Sequence, residues 1–385
     1  MNNPAKVLQI VPRSPGSPDG VGDYALTLGR KLFAGYGYKT TFAAHEITSA
    51  TIADGFEIMS LASLAPNGLL PRENDHVILH FVNYGYQKRG VPFWLLPVLR
   101  DIRSQCPGNW LTVFHELYAS GPPWKSAFWL RPLQIQIAKS ISRLSDVCIV
   151  SSEVLLTQLK DLAPAARAYV YPVPSNFGEP ALSPDQIAHR DLHRWVICGG
   201  TALIERSLRS FRTIASRIPE AFFPRELFVL GGDDNLATRS LLVELPGVRS
   251  EYYPHIDVAK VSQILSSCSF AWLDYFHRAD VPANAILKSS AFAAACAHGV
   301  IPILPNGGSA ISVEDDRLPG PFFVDSSFCD LPAIEDRAKV AAAFYNWYQR
   351  HASSDHLVRG ISSALGLVAI EHGSVAAALC NEPTR

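Results

Sequence analysis

The feature that most limits what this chain can become is its alternation of short apolar runs with helical patterns, in two series separated by one lapse. In the first series the runs are "KVLQIVP", "KTTFAAH", "HVILHFV", "WLTVFHE", "VCIVSS" and "AYVYPV". Segments between several of them carry helical spacing, as at Val21, Ala25, Leu28 and Leu32. The pattern lapses across "PSNFGEPALSPDQIAHRD", whose Pro, Ser and Asp content reads as a linker. It resumes with "RWVICGG", "ELFVLGG", "RSEYYP", "FAWLDY", "VIPILP" and "PFFVDSS", and ends in helical stretches near 332–351 and 366–380. Apolar strands joined by helices make parallel sheets covered on both faces. At 385 residues the chain is also too long for one ordinary core. The expected fold is therefore α/β, two Rossmann-like doubly wound domains facing across a cleft. The expected boundaries are 1–178 and 190–365, with a C-terminal helix over 366–385 placed to cross back to the first domain.

Composition removes several function classes. The formal net charge of −1 gives no field for nucleic acid, so an anion site has to be a local cluster. The seven cysteines are scattered, odd in number and free of CxxC spacing. They read as reduced thiols and a cytoplasmic address, not a disulfide framework or a metal site. The start, "MNNPAKVLQIVP", lacks a signal-peptide pattern. The longest nearly apolar run, "AFAAACAHGVIPILP", contains His298 and breaks at Gly299, so it does not span a membrane.

In open parallel sheets ligands bind at the carboxyl ends of the strands, so chemistry is sought in the loops that follow them. After the first strand, "SPDGVGDYALTLGRKL" opens a helix on Gly20, Val21, Gly22 and Asp23. Glycines let a ligand approach the backbone, and helix-start amides suit an anion or a sugar. The plain alternative is a glycine-rich turn. After "HVILHFV" come Asn83 and Tyr84, and after "WLTVF" come His115 and Glu116, a pair able to orient a sugar or move a proton. A histidine at a strand end is as readily structural.

In the second series, "CGGTALIERSLRS" places Gly199 and Gly200 after a strand, followed by Arg206 and Arg209. Paired glycines backed by a guanidinium suit a phosphate cradle. The loop "YFHRADVPANAILKSSAF" puts Lys288, Ser289 and Ser290 before a small-residue helix, a second diphosphate-compatible start. His255 and Ile256, in "EYYPHIDVAKV", form a loop able to stack on a nucleobase or simply to pack.

With these motifs the whole chain resembles bacterial glycosyltransferases of the two-domain GT-B fold. It is most similar to the retaining group, family four or group 1, that includes sucrose-phosphate synthases and mannosyltransferases. "GVGDYALTLGRKL" looks like that group's acceptor-side glycine loop, "VFHELY" like its His-bearing strand end, and "AFAAACAHGVIPIL" like its conserved helix and strand. The resemblance implies sugar transfer from a nucleotide-diphosphate donor to a glycan, lipid-linked or small-molecule acceptor, with retention and with neither metal nor cofactor. It implies Gly20 and Gly22 beside donor phosphate and acceptor, His115 on the transferred sugar, and Arg206 and Lys288 on the leaving diphosphate.

One departure stands out. The group's two glutamates, seven residues apart, would fall at Ile286 and Ala294, and "LKSSAF" stands as the variant element. A non-catalytic relative that binds a sugar nucleotide or partner is the alternative this raises. An epimerase of the same architecture would want cleft carboxylates, which these loops lack. Finally, "GPPWKSAFWLRPLQIQIAKSISRL" mixes Trp124, Phe128 and Trp129 with cations, and reads either as core with flanking charges or as peripheral contact with the inner face of a membrane.

Overall fold

The computed structural model describes residues 6–16, 19–47, 55–64, 74–106, 108–119, 121, 123–243, 245, 247–276, 281–305, 310–320, 322–325, 327 and 329–367. It divides into two compact units, Met1–Tyr171 with Ser354–Arg385, and Pro172–Ser353.

The first unit runs β1 (Lys6–Arg13), α1 (Gly20–Tyr36), β2 (Lys39–Glu46), β3 (Glu57–Ser60), β4 (Asn74–Phe81), α2 (Asn83–Tyr86), α3 (Leu95–Gln105), β5 (Trp110–Phe114), α4 (Ser126–Leu144), β6 (Val147–Val150), α5 (Glu153–Leu162) and β7 (Ala168–Val170). Its sheet is parallel in the order β3-β2-β1-β4-β5-β6-β7. The central strand β1 is buried from Val7 to Pro12, and β5 throughout, as strands covered on both faces must be. The strand β3, not expected from sequence, is four residues at the sheet edge, Glu57 exposed and the other three half-exposed, too short to show a period.

The second unit runs α6 (Pro184–Ala188), β8 (Arg194–Cys198), α7 (Thr201–Ile214), β9 (Glu226–Leu230), α8 (Leu236–Val243), β10 (Arg249–Tyr253), α9 (Val258–Ser267), β11 (Phe270–Trp272), α10 (Ser290–Ala297), β12 (Ile301–Leu304), β13 (Ser312–Val313), β14 (Asp316–Arg317), β15 (Phe322–Phe323) and α11 (Arg337–His351). Its parallel sheet has the order β10-β9-β8-β11-β12-β15, and β13 and β14 form a small antiparallel ribbon. Trp195, Phe211, Phe270 and Trp272 make an aromatic centre, with Trp195 and Phe270 ring centroids 4.9 Å apart. Buried side chains of this size each contribute about 1.5–3 kcal/mol. The helix α10 is buried all round, which its alanines allow by letting sheet and neighbours close on it.

Three boundaries differ from the sequence reading. The unit changes at Tyr171/Pro172, not near 178, and the expected linker lies inside the second unit. There its Ser183 and Gln186 form a reciprocal capping box that starts α6. The return to the first unit begins at α12 (Ser354–Leu365), earlier than the expected 366–385. Gly366, at φ +74°, ends that helix, and residues 368–385 lie outside the described set. Docking of α12 rests on its buried Leu357, Val358, Ile361 and Leu365, with Asn109 Nδ2 donating to the Leu365 carbonyl at 3.0 Å and an exposed Asp355–Lys31 pair at 2.6 Å beside them.

Candidate functional site

In the first sheet the winding direction reverses between β1 and β4, which puts a crevice at the carboxyl ends of those strands. The loops carrying Gly20–Asp23, Asn83–Tyr84 and His115–Glu116 all leave from that edge. The start of α1 is not the open anion site expected. Asp19 caps it, its carboxylate accepting from the amides of Val21 at 3.4 Å and Gly22 at 3.3 Å. An arriving phosphate would have to displace that carboxylate. A Cβ on Gly20 would meet open space, whereas one on Gly22 would touch Pro15 at 3.5 Å. One step on, the carboxyl of Asp23 is pushed up to about 6, first by burial and then by the charge of Asp19.

Beneath this loop lies a buried polar relay. Gln9 Oε1 is 2.8 Å from His80 Nε2, and His80 Nδ1 is 3.3 Å from His115 Nε2. Tyr24 stands edge-on to both imidazoles, at 5.6 and 5.1 Å between centroids. With the Gln9 carbonyl accepting from His80, His80 Nδ1 must accept from His115 Nε2–H, and His115 Nδ1 is left as an acceptor. Rotating the Gln9 amide reverses every donor in the chain. Burial pushes His115 down to about 4 and His80 well below its ordinary value, so both rings are neutral. The Tyr24 hydroxyl is buried with no hydrogen-bond partner among the described residues.

Asn83 is fully buried and donates to the Leu117 carbonyl at 2.9 Å, so it ties the loop after β4 to the loop after β5. Tyr84 is exposed, its hydroxyl 3.5 Å from Gln134 Nε2. Glu116 is half-exposed beside His115.

In the second sheet the reversal falls between β8 and β11. Gly199, at φ +137°, ends β8, and a Cβ there would meet Ala291 of α10 at 3.6 Å. Two helix starts therefore converge, those of α7 and α10. Gly200 precedes α7 with no side chain capping its amides, and a Cβ on Gly200 would meet open space. At α10, Ser289 Oγ caps the Phe292 amide at 3.3 Å, leaving the Ser290 and Ala291 amides without helical acceptors. Lys288 is exposed and makes no hydrogen bond or ion pair with another described residue, and Ser290 is half-buried. The expected glutamate positions, Ile286 and Ala294, are core.

Arg206 is not a free cation. Its Nε donates to the Asp274 carbonyl at 2.6 Å and its guanidinium reaches the Tyr275 carbonyl at 3.4 Å, so it holds the loop after β11. Arg209 points away, paired with Glu205 at 3.0 Å. His255 is exposed and held at φ +52°, while Ile256 packs on the core.

Sequence reasoning missed a third loop of this rim. A Cβ on Gly231, at φ +92°, would come within 2.7 Å of the Gly199 carbonyl, so the loops after β8 and β9 pack backbone on backbone. Asp233 then binds Thr201, its amide donating to Oγ1 at 2.8 Å and its carboxylate accepting from it at 3.0 Å. The signal was a second Gly-Gly pair at a strand end. Gln9 and His80 were missed as well, although each is a lone polar residue inside an apolar strand.

Depressions of about 660 Å³ beside Arg209 and Arg212, and about 550 Å³ beside Arg190 and Arg194, lie away from these loops. Among the described residues, no group of three or more His, Cys, Asp or Glu could hold a metal ion, and no helix is long and apolar enough to cross a membrane.

No protein-family model matches the sequence, and no curated protein matches it. Solved structures do. An alpha-glucosyltransferase in complex with UDP matches with a TM-score of 0.61 at 12% identity, over 94% of this chain and 100% of that one. The Anabaena protein Alr3699/HepE in complex with UDP and glucose matches with a TM-score of 0.57 at 10% identity, over 94% and 100%. A structure described as trehalose-6-phosphate from E. coli, bound with UDP-2-fluoro glucose, matches with a TM-score of 0.56 at 10% identity, over 95% and 100%. Identities this low establish the fold: two Rossmann-like domains of the GT-B type.

Proposed function

We propose that this chain transfers a sugar from a nucleoside diphosphate sugar to a glycan, lipid-linked or small-molecule acceptor, with retention and without a metal. The observation that carries the reading is the junction at the second sheet's reversal. There an α7 start without a side-chain cap approaches the Ser289–Ala291 turn through Gly199 and Ala291, with the exposed Lys288 just before that turn. That is a place for a diphosphate, and Lys288 with the helix-start amides meets the charge that grows as the sugar–phosphate bond breaks. The closed start of α1, with Asp19 in it, argues for the diphosphate in the second unit rather than the first. UDP in the three solved structures of like fold makes a uridine diphosphate sugar the first donor to test.

Arg206 serves in this reading by fixing the loop after β11, with only indirect effect on the leaving group. His115, neutral and held by His80, offers a sugar hydroxyl a hydrogen-bond partner whose polarity the Gln9 amide sets, rather than an acid. Gly20 gives that sugar room at the backbone. The second reading, a sugar-nucleotide binder without turnover, draws on the absent glutamates at 286 and 294.

UDP release from a panel of UDP-sugars separates the two. The wild type is expected to turn over, and Lys288→Ala to lose about 10²–10³ in kcat at unchanged melting temperature. Full activity in Lys288→Ala removes the site assignment. Tight UDP binding with no turnover on any donor and acceptor selects the binder.

A further inference from the structure

The first unit exposes aromatic surface that its fold does not use. Trp124 is 83% exposed and Trp129 is 70% exposed, with Phe128 and Leu133 exposed beside them. Base rates allow single exposed apolar residues, but four within ten positions at one end of one helix form a patch. The reading of these rings as core is overturned: the side of α4 that packs inward is Gln134, Ile137, Ala138, Ile141 and Ser142.

The segment that carries the patch has charge of one sign. Residues 123–144 contain no Asp or Glu, and their cations Lys125, Arg131, Lys139 and Arg143 are all exposed. Phe93, Lys88 and Arg89, also exposed, extend the same composition on the loop before α3. That loop is tied to α4, where Gly90 packs on Gln134.

We propose that this face, from Trp124 along the outer side of α4, seats the protein on an anionic lipid bilayer. Indole rings settle at the headgroup level, and the cations behind them meet anionic headgroups. A second copy of the chain is the wrong occupant, because two such faces would set like charges against each other. Since α4 follows β5, its aromatic end starts from the sheet edge that carries His115. Docking would thus bring that edge to the membrane surface.

The proposal does not depend on sugar transfer, and its test needs no donor. The full chain is sedimented with vesicles of phosphatidylcholine alone and of phosphatidylcholine with phosphatidylglycerol. Binding is expected only to the second, weakening as salt is raised. Trp124→Ser with Trp129→Ser should lower partitioning roughly tenfold or more. Lys139→Glu with Arg143→Glu should lower it at least about 25-fold, at about fivefold per cation removed from the surface. Circular dichroism checks that each variant folds. Failure of the wild type to bind either vesicle overturns the proposal, as does equal binding by the tryptophan variant. A lipid-free dimer that the tryptophan variant dissolves assigns the face to a second copy and overturns it too.

Discussion

Acidification from pH 7 to pH 5 sets two half-buried groups of the first unit against each other, and Asp23→Asn exposes the balance. His115 has its proton affinity pushed down to about 4 from 6.5 by burial. Below pH 6.5 the unfolded chain takes up that proton and the folded chain does not, until about pH 4. Stability from this group therefore falls across that window, by about 2 kcal/mol at pH 5. His80, lowered also by burial and by its neighbour His115, acts with the same sign. Asp23 acts oppositely. Its carboxyl is raised from 3.8 to about 6, so the folded chain binds the proton first as pH falls, and stability gains on the order of 1 kcal/mol by pH 5. Removing the carboxyl removes that gain and leaves the histidines unopposed. Asp23→Asn should lose on the order of 1 kcal/mol more than wild type between pH 7 and pH 5, read by urea unfolding of the full chain. Ring NMR of His115 in both proteins should show no titration above about pH 5. An equal loss in the two proteins, or His115 titrating near 6.5, refutes the argument that burial controls these groups.

Other consequences follow from single contacts. Gly231→Ala places a Cβ against the Gly199 carbonyl at a positive φ and should cost roughly 1–3 kcal/mol by denaturant unfolding. Asp19→Ala removes the α1 cap and should cost about 1 kcal/mol. Asp19→Asn keeps a capping oxygen but deletes a charge, so Asp23 should titrate lower, by carboxyl NMR. His80→Leu orphans the buried Gln9 amide and should cost about 1–3 kcal/mol, with His115 free to change tautomer.

Most of the fold is legible in the sequence because parallel strands buried on both faces leave continuous apolar runs. The runs at Lys6, Trp110 and Glu226 begin the strands β1, β5 and β9. Where burial is partial the signal fails, as at the edge strand Glu57–Ser60. The return of the chain starts earlier than the sequence suggests, at the helix Ser354–Leu365. That helix is placed by long-range contacts of its buried apolar residues, which no local pattern records.

The candidate site was legible as loops, not as roles. Of the glycines, Gly199 is explained by its φ of +137°, whereas Gly200 lies beside open space and Gly22 sits in a helix start that Asp19 caps. The roles of charged residues are not legible, because a sequence cannot show that Arg206 is spent on two carbonyls while Lys288 is exposed, with no side-chain partner among the described residues. Nor can it show that Asp19, two residues before Val21, folds back to close the helix start that glycines seemed to open.

The measurement that bears most directly on the central claim is calorimetric titration of UDP into wild type and Lys288→Ala. The account predicts one UDP per chain for the wild type and weaker binding for the variant, by roughly tenfold or more for a lost charged contact. Equal binding by the two proteins, or no binding of UDP, GDP, ADP or dTDP by either, would contradict it.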